Sequence, residues 1–328
     1  MLRHIGRGGG RVTATPYEVL TMGRVGVDVY PEQLGVGLDE VETFRSYLGG
    51  SPTNVAVAAA RHGRWTATIT RVGADPFGRL VRRAFARYGV DDVYLSEGPG
   101  QTPVTFCEMF PPDRFPIYFY RSAAPDLTIT ADDLDFVAVA AARVFWATVT
   151  GLSAEPSRSA TMAALRARAG NGRTILDLDY RPTLWSPPEQ AHRHAREAMS
   201  YADVVVGNID EFDMALGARD PKAAAQAALD AGVRLAVVKR GAEGVLALDA
   251  DGAVEVPPVH VEVVNGLGAG DAFGGALCHG LLAGWSLERT VRFANAAGAI
   301  VATQIACSEA MPTSAEVERL LAESSGER

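Results

Sequence analysis

Short runs of β-branched residues alternate along this chain with longer segments of helical periodicity, and that alternation admits few architectures. Strands are predicted over Val19–Val27, Ala67–Val72, Val104–Phe110, Ile117–Arg121, Val144–Val149, Thr174–Leu178, Val204–Gly207, Leu235–Lys239 and Val245–Leu248. Helices are predicted over Pro52–His62, Pro76–Tyr88, Glu155–Ala169, Gln190–Ser200, Lys222–Ala231, Asp271–Ala283, Leu287–Thr303 and Ala315–Glu323. Such a pattern calls for an α/β fold with a mostly parallel central sheet flanked by helices on both faces. Val204–Val206 and Leu235–Val238 are continuously apolar, as strands buried on both faces must be. Two regions break the rhythm. Tyr30–Leu48 is polar with turn signals, and Thr102–Arg121 holds two alternating strands joined by Pro111-Pro112-Asp113. Together they predict a small antiparallel β lid built from about 30–48 and 102–121. With no internal repeat and no Pro-, Gly- or Ser-rich linker, residues 18–328 are expected to form one domain. The extension before it, 1–17, is Arg- and Gly-rich over Met1–Thr15, lacks the apolar core of a signal peptide and is expected to be disordered.

Charge narrows the partners. With 31 Lys and Arg against 39 Asp and Glu, the net charge is -8, which argues against nucleic acid or an anionic membrane surface. A polyanionic ligand must then be held by backbone donors and a few local cations. Cys107, Cys278 and Cys307 lie far apart without metal-ligand spacing and read as reduced thiols of a cytoplasmic protein. The apolar stretch Phe136–Leu152 is interrupted by Arg143 and is too short to span a bilayer comfortably.

The most informative segment is Asn265-Gly-Leu-Gly-Ala-Gly-Asp-Ala-Phe-Gly-Gly275. Gly268 and Gly270 bracket Ala269, and a helical pattern starts near Asp271. Glycines let successive N–H groups converge, and a helix N-terminus adds positive partial charge, so the turn suits a phosphate. A carboxylate there would repel a resting phosphate. Asp271 could instead take the proton of a hydroxyl attacking a phosphoryl group held by the neighbouring amides; the plainer reading is a helix-capping aspartate after a glycine turn. No Gly-Lys-Ser/Thr follows, which excludes a Walker A loop, and the position near the C-terminus fits a dinucleotide fingerprint poorly.

Gly268-Ala-Gly-Asp271, paired with Gly49-Gly-Ser-Pro-Thr-Asn-Val-Ala56 more than two hundred residues earlier, resembles the two signatures of the ribokinase-like (PfkB) carbohydrate kinases, in that family's order. Asp177-Leu-Asp-Tyr-Arg181, Asn208-Ile-Asp-Glu211 and Lys239-Arg-Gly-Ala-Glu-Gly244 agree with the same pattern, so the resemblance runs from about Leu20 to Leu321. Within the family the likeness is greatest to the kinases that phosphorylate the 6-hydroxyl of 5-dehydro-2-deoxy-D-gluconate in inositol catabolism. It is carried by Val27–Gln33, Tyr47–Asn54, Thr102–Glu108, Phe115–Arg121, Asp177–Trp185 and Ala310–Pro312. One departure is Asn265-Gly266 where the broad family has Asp-Thr, a pair that helps order the loop and a monovalent cation site. That subgroup tends to carry Asn there as well.

The resemblance implies a role for each candidate. Asp271 would be the base, with the backbone N–H groups of Leu267, Gly268, Ala269 and Gly270 as the anion hole. Asp28 and Asn54, with Gly49 and Gly50, would bind substrate hydroxyls; strand-end and helix-start capping would place the same residue types there. Asn208 would contact ATP and Glu211 would help place Mg²⁺, or the pair simply starts a helix. Lys239, Gly241 and Gly244 would meet the nucleotide, Arg181 the phosphate or the sugar acid, and Asn295 the adenine. In the lid, Tyr118 and Arg121 are the candidates for substrate. By alternation Tyr118 and Tyr120 share one face and Arg121 points the other way, so one face should meet substrate or a partner subunit, or the aromatic pair simply packs the lid. The expected ligands are a small-molecule sugar acid, ATP and Mg²⁺, and family analogy suggests a homodimer joined through the lids. Other family kinases, acting on 2-keto-3-deoxygluconate, fructose or a nucleoside, remain open, as does a non-catalytic sugar or nucleotide sensor. No nucleophile elbow or His-rich cluster supports a hydrolase.

Overall fold

The computed structural model describes residues 16–326 other than 113, 169 and 188. In chain order the strands are β1 (Val19–Met22), β2 (Gly26–Pro31), β3 (Phe44–Gly49), β4 (Thr66–Gly73), β5 (Val90–Asp91), β6 (Leu95–Gly98), β7 (Val104–Cys107), β8 (Ile117–Tyr120), β9 (Val144–Thr148), β10 (Arg173–Asp177), β11 (Val204–Asn208), β12 (Leu235–Lys239), β13 (Val245–Asp249) and β14 (Gly252–Val256). The helices are α1 (Ser51–Arg61), α2 (Pro76–Tyr88), α3 (Phe136–Ala141), α4 (Ser157–Ala167), α5 (Gln190–Met199), α6 (Ile209–Leu216), α7 (Pro221–Asp230), α8 (Ala269–Ala283), α9 (Leu287–Ala302) and α10 (Ser314–Gly326).

The main sheet runs β14-β13-β12-β11-β10-β9-β1-β4-β5, with β6 also beside β4. From β12 to β5 the pairings are parallel, and β13 and β14 close one edge antiparallel. Strand alternation divides the core in two. Leu20, Phe145, Leu176, Val205 and Ala236 pack under Leu165, Ala195, Phe212 and Ala225 of α4 to α7. Val19, Trp146, Ile175, Val204 and Val237 face α1, α8 and α9 through Val55, Phe273, Leu277 and Phe293. β1 is the switch point, since the chain continues from it toward β4 on one side and β9 on the other. Ligands of open α/β sheets bind outside the strand ends at such a point.

The single strand expected over Val19–Val27 is two. Gly23 has φ 141°, where its backbone lies against the Pro52 ring, and the chain leaves the main sheet there. β2 then enters a second sheet, ordered β3-β2-β7-β8. The lid is mixed rather than antiparallel: β2 pairs with β7 in parallel because both strands leave the main body in the same direction, while β3 and β8 return. Of the extension expected over 1–17, residues 1–15 lie outside the described residues. Tyr17 belongs to the fold, donating to Asp91 Oδ2 at 2.8 Å with its ring 4.3 Å from that of Trp65. Among the described residues no helix is long and apolar enough to cross a membrane, and the three cysteines are buried and unpaired.

Candidate active site

The glycine turn enters α8 as the sequence pattern requires. Gly268 caps the helix with φ 83°, in the left-handed region, and a Cβ there would fall 2.7 Å from Cys307 Cβ and Sγ. Asn265, fully buried, anchors the turn: its Nδ2 donates to Ile305 O at 2.7 Å, and its Oδ1 accepts from Leu267 N at 2.9 Å. That bond withdraws the Leu267 amide from the expected anion hole. The amides of Gly268, Ala269 and Gly270, at the start of the helix, have no intrahelical partner and remain.

This turn is a shared wall. Gly268 and Asp271 line a cleft between the lid and the main sheet, together with Asp28, Asn54, Asp179 and Arg181. Ala269 and Gly270 line an adjoining cavity of about 430 Å³, together with Lys239, Gly241, Gly244 and Asn295. Lys239 ends β12, and its Nζ would lie 3.2 Å from a Cβ at Gly270, so the ammonium stands against the first turn of α8. Asn295 lines the cavity while its amide donates to Pro257 O at 2.9 Å. Gly244, at φ 83°, lies where a Cβ would run into Val256 O.

Asp271 Oδ2 accepts from Asn54 Nδ2 at 2.8 Å, and Asn54 Oδ1 accepts from Ser308 Oγ at 2.7 Å. Burial, reinforced by the nearby Asp179 carboxylate and opposed by the Asn54 bond and Lys239, pushes the Asp271 pKa up to about 6. Burial likewise holds Asp177 well above the carboxylate range, with Lys239 opposing and Asp179, Glu211 and Asp271 adding to the rise. Lys239 stays protonated because these four carboxylates outweigh its desolvation. Across the cleft, Asp28 Oδ2 accepts from Tyr30 Oη at 3.2 Å, while Asp28 Oδ1 is buried, and burial raises the Asp28 pKa against the opposing effects of Arg24, Tyr30 and Thr105. Gly49 is required beneath Asp28, since a Cβ there would collide with the carboxylate. Gly50, at φ 107°, caps α1 against Arg24 O. Both glycines shape the site without lining the cleft.

Some candidates fall elsewhere. Ile117 and Phe119 of β8 face the cleft, so alternation turns Tyr118 outward, where it is 44% exposed and donates to Glu108 Oε2 at 3.3 Å. Arg121 is buried in an ion pair with Asp126 and does not reach the cleft. Asn208 and Glu211 form a capping box at the start of α6: Glu211 N donates to Asn208 Oδ1 (2.9 Å), and Asn208 N donates to Glu211 Oε2 (2.7 Å). They line neither cavity, although Glu211 shares the electrostatic cluster of Lys239 and Asp177. Arg24, Tyr30, Thr105, Phe119, Thr150, Asp179 and Cys307 line the cleft and were not singled out. For Asp179 a signal existed, the alternate carboxylates Asp177 and Asp179 at the end of β10, whereas the lid residues are gathered by strand pairing that leaves no local mark.

A proton acceptor therefore faces one cavity while the amides beside it, and a cation, face the next. The pfkB family carbohydrate kinase model matches residues 17–314. A 5-dehydro-2-deoxygluconokinase of Photobacterium profundum is 35% identical over 91% of this chain and 92% of its own. Another, of Clostridium perfringens, is 32% identical over 90% of each. Among solved structures, a fructokinase of Xylella fastidiosa with bound ATP has a TM-score of 0.84 at 26% identity, covering 94% of this chain and 99% of that one. A match over nearly the whole described chain, with the turn, the carboxylate and the lid all in place, settles the assignment: this chain is a member of the pfkB family of carbohydrate kinases.

Proposed function

We propose that this kinase transfers the γ-phosphate of ATP to the 6-hydroxyl of 5-dehydro-2-deoxy-D-gluconate. The observation that carries the transfer is the shared wall, with Asp271 and Gly268 on the cleft side and Ala269 and Gly270 on the other. Sugar would occupy the cleft, with ATP in the adjoining cavity and its terminal phosphate toward the turn. Asn54 orients the Asp271 carboxylate, which takes the proton of the attacking hydroxyl late in a loose transition state. The amides of Gly268, Ala269 and Gly270, with Lys239, meet the charge that builds on the transferring phosphoryl oxygens. The lid keeps water from competing as acceptor.

Mg²⁺ favours one or two carboxylates and several waters. Glu211, which lines neither cavity but lies in the electrostatic cluster of Lys239 with Oε1 left by the cap, would help place the ion through those waters. Bound there with the nucleotide, the ion would neutralise phosphate charge. The substrate name leans on the two relatives at 32% and 35% identity and on a cleft that offers Asp28 and Asn54 for hydroxyls and a guanidinium, Arg24, for an acid. A second copy of the chain would cover the outer lid face, where Phe44, Phe106 and Tyr120 form an edge-to-face ladder with spacings of 5.8 and 5.6 Å.

The test is ATP-dependent ADP release with Mg²⁺ across 5-dehydro-2-deoxygluconate, 2-keto-3-deoxygluconate, fructose, ribose and adenosine. Selective turnover of the first is expected. Turnover of another member would replace the substrate and keep the kinase; silence across the panel with ATP still bound would overturn the reading.

A further inference from the structure

Two cationic side chains line the sugar cleft, Arg24 and Arg181, and they are not equivalent. Arg181 is already neutralised, with Nη2 3.1 Å from Asp179 Oδ1. Arg24 forms no direct ion pair among the described residues, although its charge acts through space on the buried Asp28 carboxylate. Its Nη1 donates to Thr105 Oγ1 at 3.2 Å, and its guanidinium carbon stands 5.2 Å from the centre of the Phe119 ring. Its backbone is held as firmly, because Arg24 O accepts from Thr53 Oγ1 at 3.3 Å and lies against Gly50. A guanidinium offers five N–H donors in a planar fork that matches a carboxylate, and one bond to a hydroxyl leaves most of it unused. A half-buried guanidinium positioned by Thr105 and Phe119, attracted through space by the Asp28 carboxylate but with most of its donors unused, can still take an anion into its fork.

We propose that Arg24 reads the carboxylate of a sugar-acid substrate and so selects acids over neutral sugars. The inference rests on the kinase reading above. Arg24 contacts β7 and β8 on the lid side of the cleft, whereas Asp271 meets Asn54 at the main-sheet side. A chain acid with its carboxylate at one end and a primary hydroxyl at the other is then gripped at both ends, which sets the hydroxyl that meets the base. A neutral sugar leaves the fork unpaired, and a site with an unpaired polar group discriminates strongly.

The experiment compares wild type, Arg24→Gln, Arg24→Lys and Arg181→Gln on 5-dehydro-2-deoxygluconate and on its carboxamide, reading kcat and KM separately. Wild type should prefer the acid by roughly 10²- to 10³-fold in kcat/KM, the usual range for a paired, desolvated charge. Arg24→Gln should erase that preference mainly through KM for the acid, Arg24→Lys should fall between, and Arg181→Gln should keep it. A preference that survives in Arg24→Gln overturns the proposal, as does one that disappears only in Arg181→Gln. Should Arg24→Gln fail to fold, an undiminished preference in Arg24→Lys overturns it equally. Wild type active on neutral sugars alone would remove the acid substrate and this role together, and an inactive wild type would remove the kinase reading itself.

Discussion

The amide of Asn54 donates a 2.8 Å hydrogen bond to the Asp271 carboxylate across 217 positions of chain. The helix that opens at the lid is thereby tied to the helix that opens at the anion hole. Asn54 is fixed in turn by Ser308 on its other oxygen, so the carboxylate is aimed by a residue with little freedom. Removing the base should reduce kcat by about 10²- to 10⁴-fold in Asp271→Asn, with KM for the sugar little changed. Asn54→Ala should lose less, because the carboxylate remains but is no longer aimed. Steady-state kinetics on both variants checks the order; equal losses would make Asn54 part of the chemistry.

The Asp271 pKa near 6 gives a pH dependence with a definite sign. The base must be ionised to accept a proton, so kcat/KM should fall as pH drops through about 6 and level off above it. The Asn54 bond favours the ionised form, so Asn54→Ala should move that limb to higher pH. Stability runs the other way. The folded pKa is raised, so ionisation destabilises the fold progressively between the unfolded value near 4 and about 6. Asp271→Asn should therefore melt above wild type at pH 8 and converge with it near pH 4. A calorimetric series showing no such convergence would mean that the site is wetter than its burial indicates.

How much of this was legible in the chain depended on whether the signal was local. α2 could be read to the residue because Asp75 caps it, Pro76 starts it and Gly89 ends it in the left-handed region. α6 carries the same kind of punctuation, a capping box and Gly217, but with eight residues it is too short to show periodicity. The Asp271 turn was equally visible, since its glycines and its acid are neighbours. The lid was not: alternation in Ile117–Tyr120 separates two faces without saying which one meets the cleft, and the hydroxyl of Tyr118 favoured the wrong one. Arg121 has the chemistry of a phosphate ligand, and its partner Asp126, five residues on, is reached only once the chain turns back. Nothing local marks Arg24, because its surroundings, Thr105 and Phe119, come from strands far along the chain.

Gly268 is constrained twice, by its φ of 83° and by Cys307 at 2.7 Å from a Cβ. Backbone strain of this kind costs roughly 1–2 kcal/mol for a residue other than glycine. Gly268→Ala should accordingly lower Tm and, by displacing the amides, kcat. Adding Cys307→Gly removes the collision but leaves the backbone strain, so the double variant should recover part of the stability. Recovery in full would assign the whole effect to Cys307, and none would assign it to φ.

If Glu211 holds a hydrated Mg²⁺, Glu211→Gln should raise the Mg²⁺ concentration needed for half-maximal rate several-fold. The capping box should survive, because Gln can still accept from Asn208 N with its side-chain oxygen. The variant should thus melt close to wild type while its Mg²⁺ titration shifts. An unchanged titration would return Glu211 to a purely structural role.

On the outer lid face Tyr120 is 68% exposed, Tyr118 44% and Phe44 40%, three large side chains on one small sheet. Water gains nothing from such a face, and its edge strands β3 and β8 present unpaired backbone groups to solvent. A second lid laid across it would bury the Phe44–Phe106–Tyr120 ladder, and a C2 arrangement would set each ladder against its own copy. Tyr120→Glu places like charges opposite each other at the centre of that contact. Light scattering should then show wild type at twice the chain mass and the variant at the chain mass. Because the mutated face is turned away from Asp28 and Asp271, any loss of activity should appear in KM for the sugar, through a looser lid, rather than in Asp271 chemistry. A variant that remains dimeric would place the interface on another surface, and a monomeric wild type would leave the ladder as lid packing alone.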